Sequence, residues 1–406
     1  MKLGFDPELL RYRREDPKVT EQMKKKRPPQ REVLDGQHMR KLYVEPTARC
    51  NLHCDMCPRH TWIDEPMGDM TMEVYTKLLK DVEENRDLEC IFFGGVAEPM
   101  SHPRIIEMVR LAKELHLSVE LISNGSMLHE KNITALLDAG LDKLWISLDS
   151  QHMDSEEKTT GANGFQRTKK MLQTFQQKKT QSNPYAQLGI SFVATKSNIH
   201  MLPEVVEMAR VSNVEEVKVS NLIPYTADME SEVLYQKSLA CDLHKEDPNN
   251  MPFMLLNLPI MDFEDIPAET LKDLMRQKVD LQMGKDRILR RNRFCPFIES
   301  DSVFVRWDGE VSPCLALLHT NKTYLQGMER TIYHCSYGNV KERSFMEIWT
   351  DPEYAAFRNK VKEFAFSPCP TCGHCTYAEE NMEDCYGNEF PTCGACMWAE
   401  GFAQCP

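Results

Sequence analysis

Three cysteines, Cys50, Cys54 and Cys57, stand in the run CNLHCDMC with a C-x3-C-x2-C spacing. Three thiolates so spaced can hold three irons of a [4Fe–4S] cube and leave the fourth iron open to an exchangeable ligand. The competing chemistry is a zinc site, with His53 or His60 as fourth ligand. From Cys295 onward come Cys295, Cys314, Cys335, Cys369, Cys372, Cys375, Cys385, Cys393, Cys396 and Cys405. Ten thiols exceed what two four-cysteine clusters require, although CPTCGHC and CGAC would also suit zinc ribbons. Cys90 and Cys241 stand apart, and Cys90, in the apolar run LECIFF, reads as a packing residue. Between the two cysteine sets lie three short signals: GGVAEP at 94–99, SNG at 123–125 and ISLDS at 146–150. Adjacent glycines let backbone approach a ligand closely, Asn-Gly is by itself an ordinary turn pair, and a carboxylate such as Asp149 can accept bonds from hydroxyls.

These residues need elements to hold them. KLYVEPT, LECIFFGG, SVELISNG, DKLWISLDS, AQLGISFVAT and EEVKVSNLIPY read as six strands with five helical regions between them, PRIIEMVRLAKEL, ITALLDAG, FQRTKKMLQTFQQ and LPEVVEMARV among the helices. Such alternation builds a parallel sheet with right-handed crossovers. The expected fold class is α/β: a curved six-stranded sheet, that is, a partial (β/α)6 barrel, with an open doubly wound sheet as the alternative. Either places its ligand at the C-terminal ends of the strands, where most of the polar signals fall. Residues 1–41 read as a basic arm, 42–225 as the barrel and 226–290 as a bridging region with a helix around ETLKDLMRQKVDLQM. Residues 291–406 read as a Cys-rich extension, opened by a hairpin through SVFVRW and EVSPC and continued by helices in FMEIWTDPEYAAFRNKVKEF. The end is too rich in Cys, Gly and Pro to bury an ordinary core, so bound metal is expected to order it.

The 406 residues are 41% apolar, enough for a substantial core, and contain no run of 18 apolar residues and no signal-peptide core. A cytoplasmic protein without a membrane span is expected. There, fifteen cysteines are not explained by disulfides. The net charge of −13 speaks against a nucleic-acid partner. Residues 1–41 nevertheless carry twelve Lys and Arg against seven Asp and Glu, whereas residues 369–406 carry six acidic residues and no basic one. The arm is a solvated helix or a docking surface for an acidic partner.

With the cysteine loop, GGVAEP and SNG in this order, the chain resembles the radical S-adenosylmethionine superfamily. The resemblance implies that S-adenosylmethionine chelates the open iron of the [4Fe–4S] cluster. One electron then breaks its sulfur–carbon bond, and the resulting 5′-deoxyadenosyl radical takes a substrate hydrogen. It implies that Met56 lies near adenine, that Gly94, Gly95 and Glu98 serve the methionine amino group, and that Ser123 and Asn124 line the methionine or ribose. Ser147 and Asp149 would meet the ribose, with Ser191 and Thr195 weaker candidates, and Ile223 would contact adenine or simply pack. Ala97 replaces the glycine often found before that glutamate. The late region resembles the SPASM iron–sulfur extension: Cys295, Gly309 and Cys314 match its opening, and YGNVKERSFMEIW its middle. The metal ligands implied are Cys50, Cys54 and Cys57 for the open cluster. Cys295, Cys314, Cys369, Cys372, Cys375, Cys385, Cys393, Cys396 and Cys405 are implied for two auxiliary [4Fe–4S] clusters. The tight Cys369–Cys375 spacing departs from the usual pattern and leaves the division between clusters open, with Cys335 outside it.

The tail NEFPTCGACMWAEGFAQCP is similar to a subgroup that matures metalloenzymes, some associated with tungsten-cofactor oxidoreductases. The implied activity is a maturase that modifies a peptide or protein and draws electrons from a reductant such as ferredoxin or flavodoxin. The same cysteines would equally serve a radical enzyme acting on a small molecule such as a pterin or cofactor precursor. A third class is a cluster scaffold or electron carrier without catalysis. GGVAEP, SNG and the strand-end polar residues speak against it, because a carrier needs no nucleoside pocket.

Overall fold

The computed structural model describes residues 38–148, 164–236, 255–258, 260–262, 266–267, 269–270, 280–283, 294–367, 369–372 and 375–406. Asp149, Cys241, the side chain of Cys372, nearly all of the basic arm and much of 226–290 lie outside the described residues.

Six strands fall where the alternating apolar runs place them: β1 Lys41–Val44, β2 Cys90–Phe93, β3 Ser118–Ser123, β4 Lys143–Leu148, β5 Gln187–Ala194 and β6 Glu216–Asn221. They pair parallel in simple sequence order. Five helices connect them: α1 Met72–Val82, α2 Ile105–Glu114, α3 Glu130–Asp138, α4 Gly164–Ser182 and α5 Leu202–Val211. An order without reversal separates this fold from a doubly wound sheet, which needs a switch point. When every right-handed crossover steps the same way, all helices fall on one face and the sheet curls around its other face. Helix spacing follows suit: α1 buries Val74, Tyr75, Leu78, Leu79 and Val82, three and four residues apart, and Thr71 caps its first turn by accepting from Val74 N.

The sheet continues beyond the six strands. On the far side β7 (Leu255–Leu258) and β8 (Asp280–Met283) add in parallel. On the near side β9 (Ser302–Val305) pairs parallel with β1, and β10 (Val311–Ser312) closes the expected hairpin antiparallel to β9. Asp280–Met283 belong to the stretch expected to be helical, and their strand conformation corrects that reading. A four-residue segment laid along an open edge gains ladder hydrogen bonds that outweigh a weak helical pattern. In the extension, β11 (Asn321–Leu325) and β12 (Met328–Ile332) form a second hairpin. The expected helices are α6 (Phe345–Trp349), with a full capping box from Ser344 and Glu347, and α7 (Pro352–Glu363).

The inward side chains lie in layers. At the N-terminal ends of the strands sit charges: Lys143 pairs with Glu216 at 2.6 Å, and Lys41 lies 3.6 Å from Glu120. Above them an aromatic layer fills the barrel. Tyr43 stacks on Phe304 at 4.3 Å, and Trp145 donates to Glu120 at 3.0 Å. Gly189 is required beside it, because a Cβ there would stand 2.3 Å from the Trp145 ring. The top of the interior is left for small polar side chains and becomes the floor of the cavity described below.

Gly189→Ala should therefore destabilise the protein by about 1–3 kcal/mol through overpacking. In the double variant with Trp145→Leu most of that loss should return, a coupling readable from anaerobic thermal unfolding of the four proteins of the cycle.

Candidate active site

A cavity of about 350 Å³ lies at the C-terminal ends of the strands. Its floor and barrel wall are formed by Ser147, Ser191, Val193, Ser220 and Ile223, one rim by Cys54, Met56, Cys57 and Gly95, and the opposite wall by Cys314, Cys393, Cys396 and Cys405. The two cysteine sets, separated by more than half the chain, thus face one space.

The cysteine loop owes its shape to short backbone bonds. Cys57 N donates to Cys54 O at 3.0 Å, and Cys57 is the extended residue ahead of the 3-10 turn Pro58–Thr61. His60 hydrogen-bonds through Nε2 to Cys54 O at 2.9 Å and packs edge-on against His53. Cys50 accepts from Leu52 N at 3.5 Å and has Asn124 Nδ2 at 3.9 Å. All three thiols are half-buried.

Glu98 is almost completely buried, at 2% exposure. It accepts from Met100 N at 2.9 Å and from Asn124 N at 2.7 Å, so one carboxylate joins GGVAEP to SNG. Burial raises its pKa, partly offset by the bonds from Asn124, Met100 and Ser123. Ser123 is buried and holds Gly125 N at 3.1 Å, while Asn124 accepts from Ser126 N at 2.9 Å. These three residues shape the loop behind the rim, whereas Met56, Gly95, Ser147, Ser191 and Ile223 line the cavity itself. Gly94 stands against Phe92 and Ile122, with no room for a Cβ, and Gly95 has φ +136° beside Glu45. Thr195 is taken up in a turn with Asn198, whose Oδ1 accepts from Thr195 N at 2.8 Å.

The late cysteines fall into two neighbourhoods. Cys314 has Cys295, Cys396 and Cys393 as its electrostatic neighbours. Cys369 has Cys375 and Cys385. Cys295, Cys314 and Cys375 each occupy the extended position before a short helical turn, as Cys57 does. Backbone N–H groups point at the sulfurs, from Ile298 and Phe297 to Cys295 and from Ala399 and Trp398 to Cys396. Burial pushes the Cys295 thiol up to about 12. A buried thiol of this kind stays protonated until a metal displaces the proton. Soft sulfur donors that also accept backbone N–H bonds are the environment an iron–sulfur cluster takes. Among the described residues no three His, Cys, Asp or Glu converge on a single-ion site. Cys405 has Cys396 as an electrostatic neighbour, accepts from Trp398 Nε1 at 3.2 Å and has its own carbonyl held by Lys218. Cys90 sits on β2, and burial raises it to about 12.

Sequence reasoning missed the group that joins rim to extension. His319 is 1% exposed and lines the cavity. It donates through Nε2 to Glu45 at 3.0 Å, at the end of β1, and through Nδ1 to Glu65 at 2.8 Å, beyond the cysteine loop. Burial alone would lower its pKa, but the two carboxylates overcome this and raise it to about 9. Glu65 also receives Arg306 at 3.0 Å and Thr320 N at 2.7 Å. Burial raises its pKa, but His319, Thr320 and Arg306 together bring it below the ordinary value. Trp62 stacks on His319 with ring centres 4.1 Å apart, and its backbone bridges Asn321. A lone His in LLHT and two scattered glutamates carry no spacing signal, so only the fold could bring them together.

The model for the radical SAM superfamily matches residues 44–210, and that for the SPASM iron–sulfur cluster-binding domain matches residues 295–376. The chain belongs to the radical SAM superfamily and is an enzyme of its SPASM-bearing branch. Its cofactors are S-adenosylmethionine and iron–sulfur clusters, one of the barrel and auxiliary ones of the extension. Among curated proteins it is 30% identical, over 86% of its length and 93% of the relative's, to the tungsten-containing aldehyde ferredoxin oxidoreductase cofactor-modifying protein of Pyrococcus furiosus. It is 28% identical to the PqqA peptide cyclase of Gluconobacter oxydans over 44% of this chain and 48% of that one. The crystal structure of Streptococcus suis SuiB bound to its precursor peptide SuiA superposes with a TM-score of 0.54 at 16% identity, over 88% of this chain and 73% of that one. That likeness is one of fold. Among the described residues no helix is long and apolar enough to cross a membrane.

His319→Gln would leave the buried Glu45 carboxylate without its cation and Glu65 with Arg306 alone. It should cost roughly 3–5 kcal/mol, measured by anaerobic denaturant unfolding. Because the folded pKa is raised, the wild-type contribution is complete below about pH 6.5, the unfolded value, and is lost as pH rises through about 9. The difference between wild type and His319→Gln should shrink over that window. A constant difference from pH 6 to pH 10 would contradict an imidazolium at this position.

Proposed function

We propose that this enzyme modifies a peptide or protein during the maturation of a metalloenzyme. The observation that carries the reading is the single cavity shared by the cysteine rim of the barrel, its polar floor and the cysteine wall of the extension. Bound there, S-adenosylmethionine and the first cluster supply the radical that takes a substrate hydrogen, and the auxiliary clusters a store for the electron the substrate gives up. Cys50, Cys54 and Cys57 hold the first cluster. Met56, Gly95, Ser147, Ser191 and Ile223 enclose the nucleoside, and Gly94 gives the rim its close backbone. Glu98 fixes the loop of Ser123 and Asn124 and keeps lone pairs for the methionine ammonium. Asp149 retains the ribose role implied by sequence. Cys295, Cys314, Cys393 and Cys396 hold one auxiliary cluster, and Cys369, Cys372, Cys375 and Cys385 the other, with Cys405 beside Cys396 and hydrogen-bonded by Trp398. Support for a polypeptide substrate comes from the relatives named as a peptide cyclase and as a complex with a precursor peptide. A second reading, action on a cofactor such as a pterin, is favoured by the relative from Pyrococcus furiosus, which is named a cofactor-modifying protein.

Anaerobic incubation with a one-electron reductant, S-adenosylmethionine and each candidate substrate decides between the two, with 5′-deoxyadenosine and modified substrate quantified together. Modification of the pterin alone would discard the polypeptide reading. The reconstituted protein should hold about twelve irons, and four irons with stoichiometric zinc would defeat the auxiliary clusters. Glu98→Gln should assemble the first cluster normally yet bind S-adenosylmethionine about ten- to hundredfold more weakly, the worth of a charged hydrogen bond. Equilibrium binding measures this, and unchanged affinity would remove Glu98 from the site. Changing Cys50, Cys54 and Cys57 to Ala should abolish 5′-deoxyadenosine formation. Cys314→Ala should spare part of it while substrate modification falls much further. Wild-type modification by Cys314→Ala would reduce the extension to a structural role.

A further inference from the structure

The extension contains two buried arginines in environments of opposite kind. Arg306, 6% exposed, is neutralised by Glu65 at 3.0 Å and Asp308 at 2.6 Å. Arg330, equally buried, lies on β12 and lines the cavity, and its hydrogen-bond partners are backbone carbonyls. Nε donates to Ala378 O and Nη1 to Ala395 O at 3.3 Å. Among the described residues no carboxylate forms an ion pair with it. The sulfurs that face it are those of Cys369 and Cys396.

Carbonyl oxygens satisfy N–H groups but do not cancel a charge, and an uncompensated buried guanidinium costs several kcal/mol. Neutral thiols would not cancel it either. Thiolates appear there when metal is bound. A four-iron cube with four thiolates is dianionic when oxidised and gains one more negative charge on reduction. A fixed cation beside it stabilises the reduced form more. The carbonyls that aim the guanidinium belong to the cysteine segments themselves: Ala378 follows Cys375, and Ala395 stands between Cys393 and Cys396. One side chain therefore reaches toward both cysteine neighbourhoods at once.

We propose that Arg330 is the counter-cation of the extension, set between its two cysteine groups so as to raise the reduction potential of the clusters they hold. This rests on the auxiliary-cluster reading above, and the residue acts by position, touching no reacting atom. The test uses the full-length protein with Cys50, Cys54 and Cys57 changed to Ala, so that auxiliary clusters alone contribute signal, and compares Arg330, Arg330→Lys and Arg330→Gln. Iron and sulfide are assayed, and midpoint potentials are read by EPR-monitored redox titration. Arg330→Gln should move at least one auxiliary midpoint to more negative potential at unchanged iron content, and Arg330→Lys should stay near the parent. If Arg330→Gln loses iron, the lysine variant decides: retention of iron and potential supports a charge role, and loss in both variants overturns it in favour of shape. Equal potentials in all three proteins at full iron content also overturn it. Unmoved potentials together with a raised substrate KM, measured for Arg330→Gln in protein that keeps Cys50, Cys54 and Cys57, assign the guanidinium to a substrate carboxylate instead. Absence of auxiliary iron from the parent would sink the cluster reading itself, a result distinct from all of these.

Discussion

The imidazolium of His319, clamped between Glu45 and Glu65, holds the working parts of this enzyme in one frame. Glu45 ends the first strand, Glu65 follows the cysteine loop, and His319 belongs to the extension. Three segments remote in sequence therefore meet at one buried charge. Both ring nitrogens are spent on carboxylates, so the ring has no N–H left for proton transfer, and its value is positional. The same carboxylate of Glu45 also accepts from Val96 N at 3.3 Å, inside the glycine-rich turn. A shift of His319 would thus be felt at the rim, at the glycine turn and at the wall of the extension together.

The barrel reaches its function by layers. Charges and aromatic rings fill the end where the strands begin, and serines and small apolar groups open the end where they finish. Lys218 and Tyr43 rise from the filled layers to hold the carbonyls of Cys405 and Pro406 at 3.2 and 2.9 Å. The tail of the chain is therefore anchored in the barrel interior and passes up the same wall that carries Cys393 and Cys396. Barrel and extension share a floor as well as a clamp.

How far the sequence discloses this differs by kind of signal. The six strands were legible because each is an apolar run with a turn behind it, and the cysteine loop because its spacing is local. Met56, Gly95, Ser147 and Ser191 came from the family resemblance, and all four line the cavity. Glu98 was legible as a residue of interest, but not as the bridge between two turns, since its partners are backbone N–H groups of a distant loop. β8 was hidden because four residues at a sheet edge carry too short a pattern to compete with helical periodicity. The parallel pairing of β9 with β1 is a fact of tertiary structure with no local trace. His319 and Arg330 were invisible for the same reason: one buried cation among scattered polar residues has no period, and its meaning comes from what packs around it.

The pairing of β9 with β1 has a consequence for how the chain is made. Residues 41–44 and 302–305 are neighbours in the sheet but about 260 positions apart along the chain. While the polypeptide emerges, β1 has β2 on one side and, among the described residues, no strand on the other until β9 is made. A parallel edge left bare is a template for another chain. The nascent protein must therefore carry an unprotected seam through most of its synthesis, and the extension, when it arrives, closes it. A chain interrupted before residue 302 would differ from the finished enzyme by more than the loss of its late cysteines: it would expose the sticky border that those later residues cover.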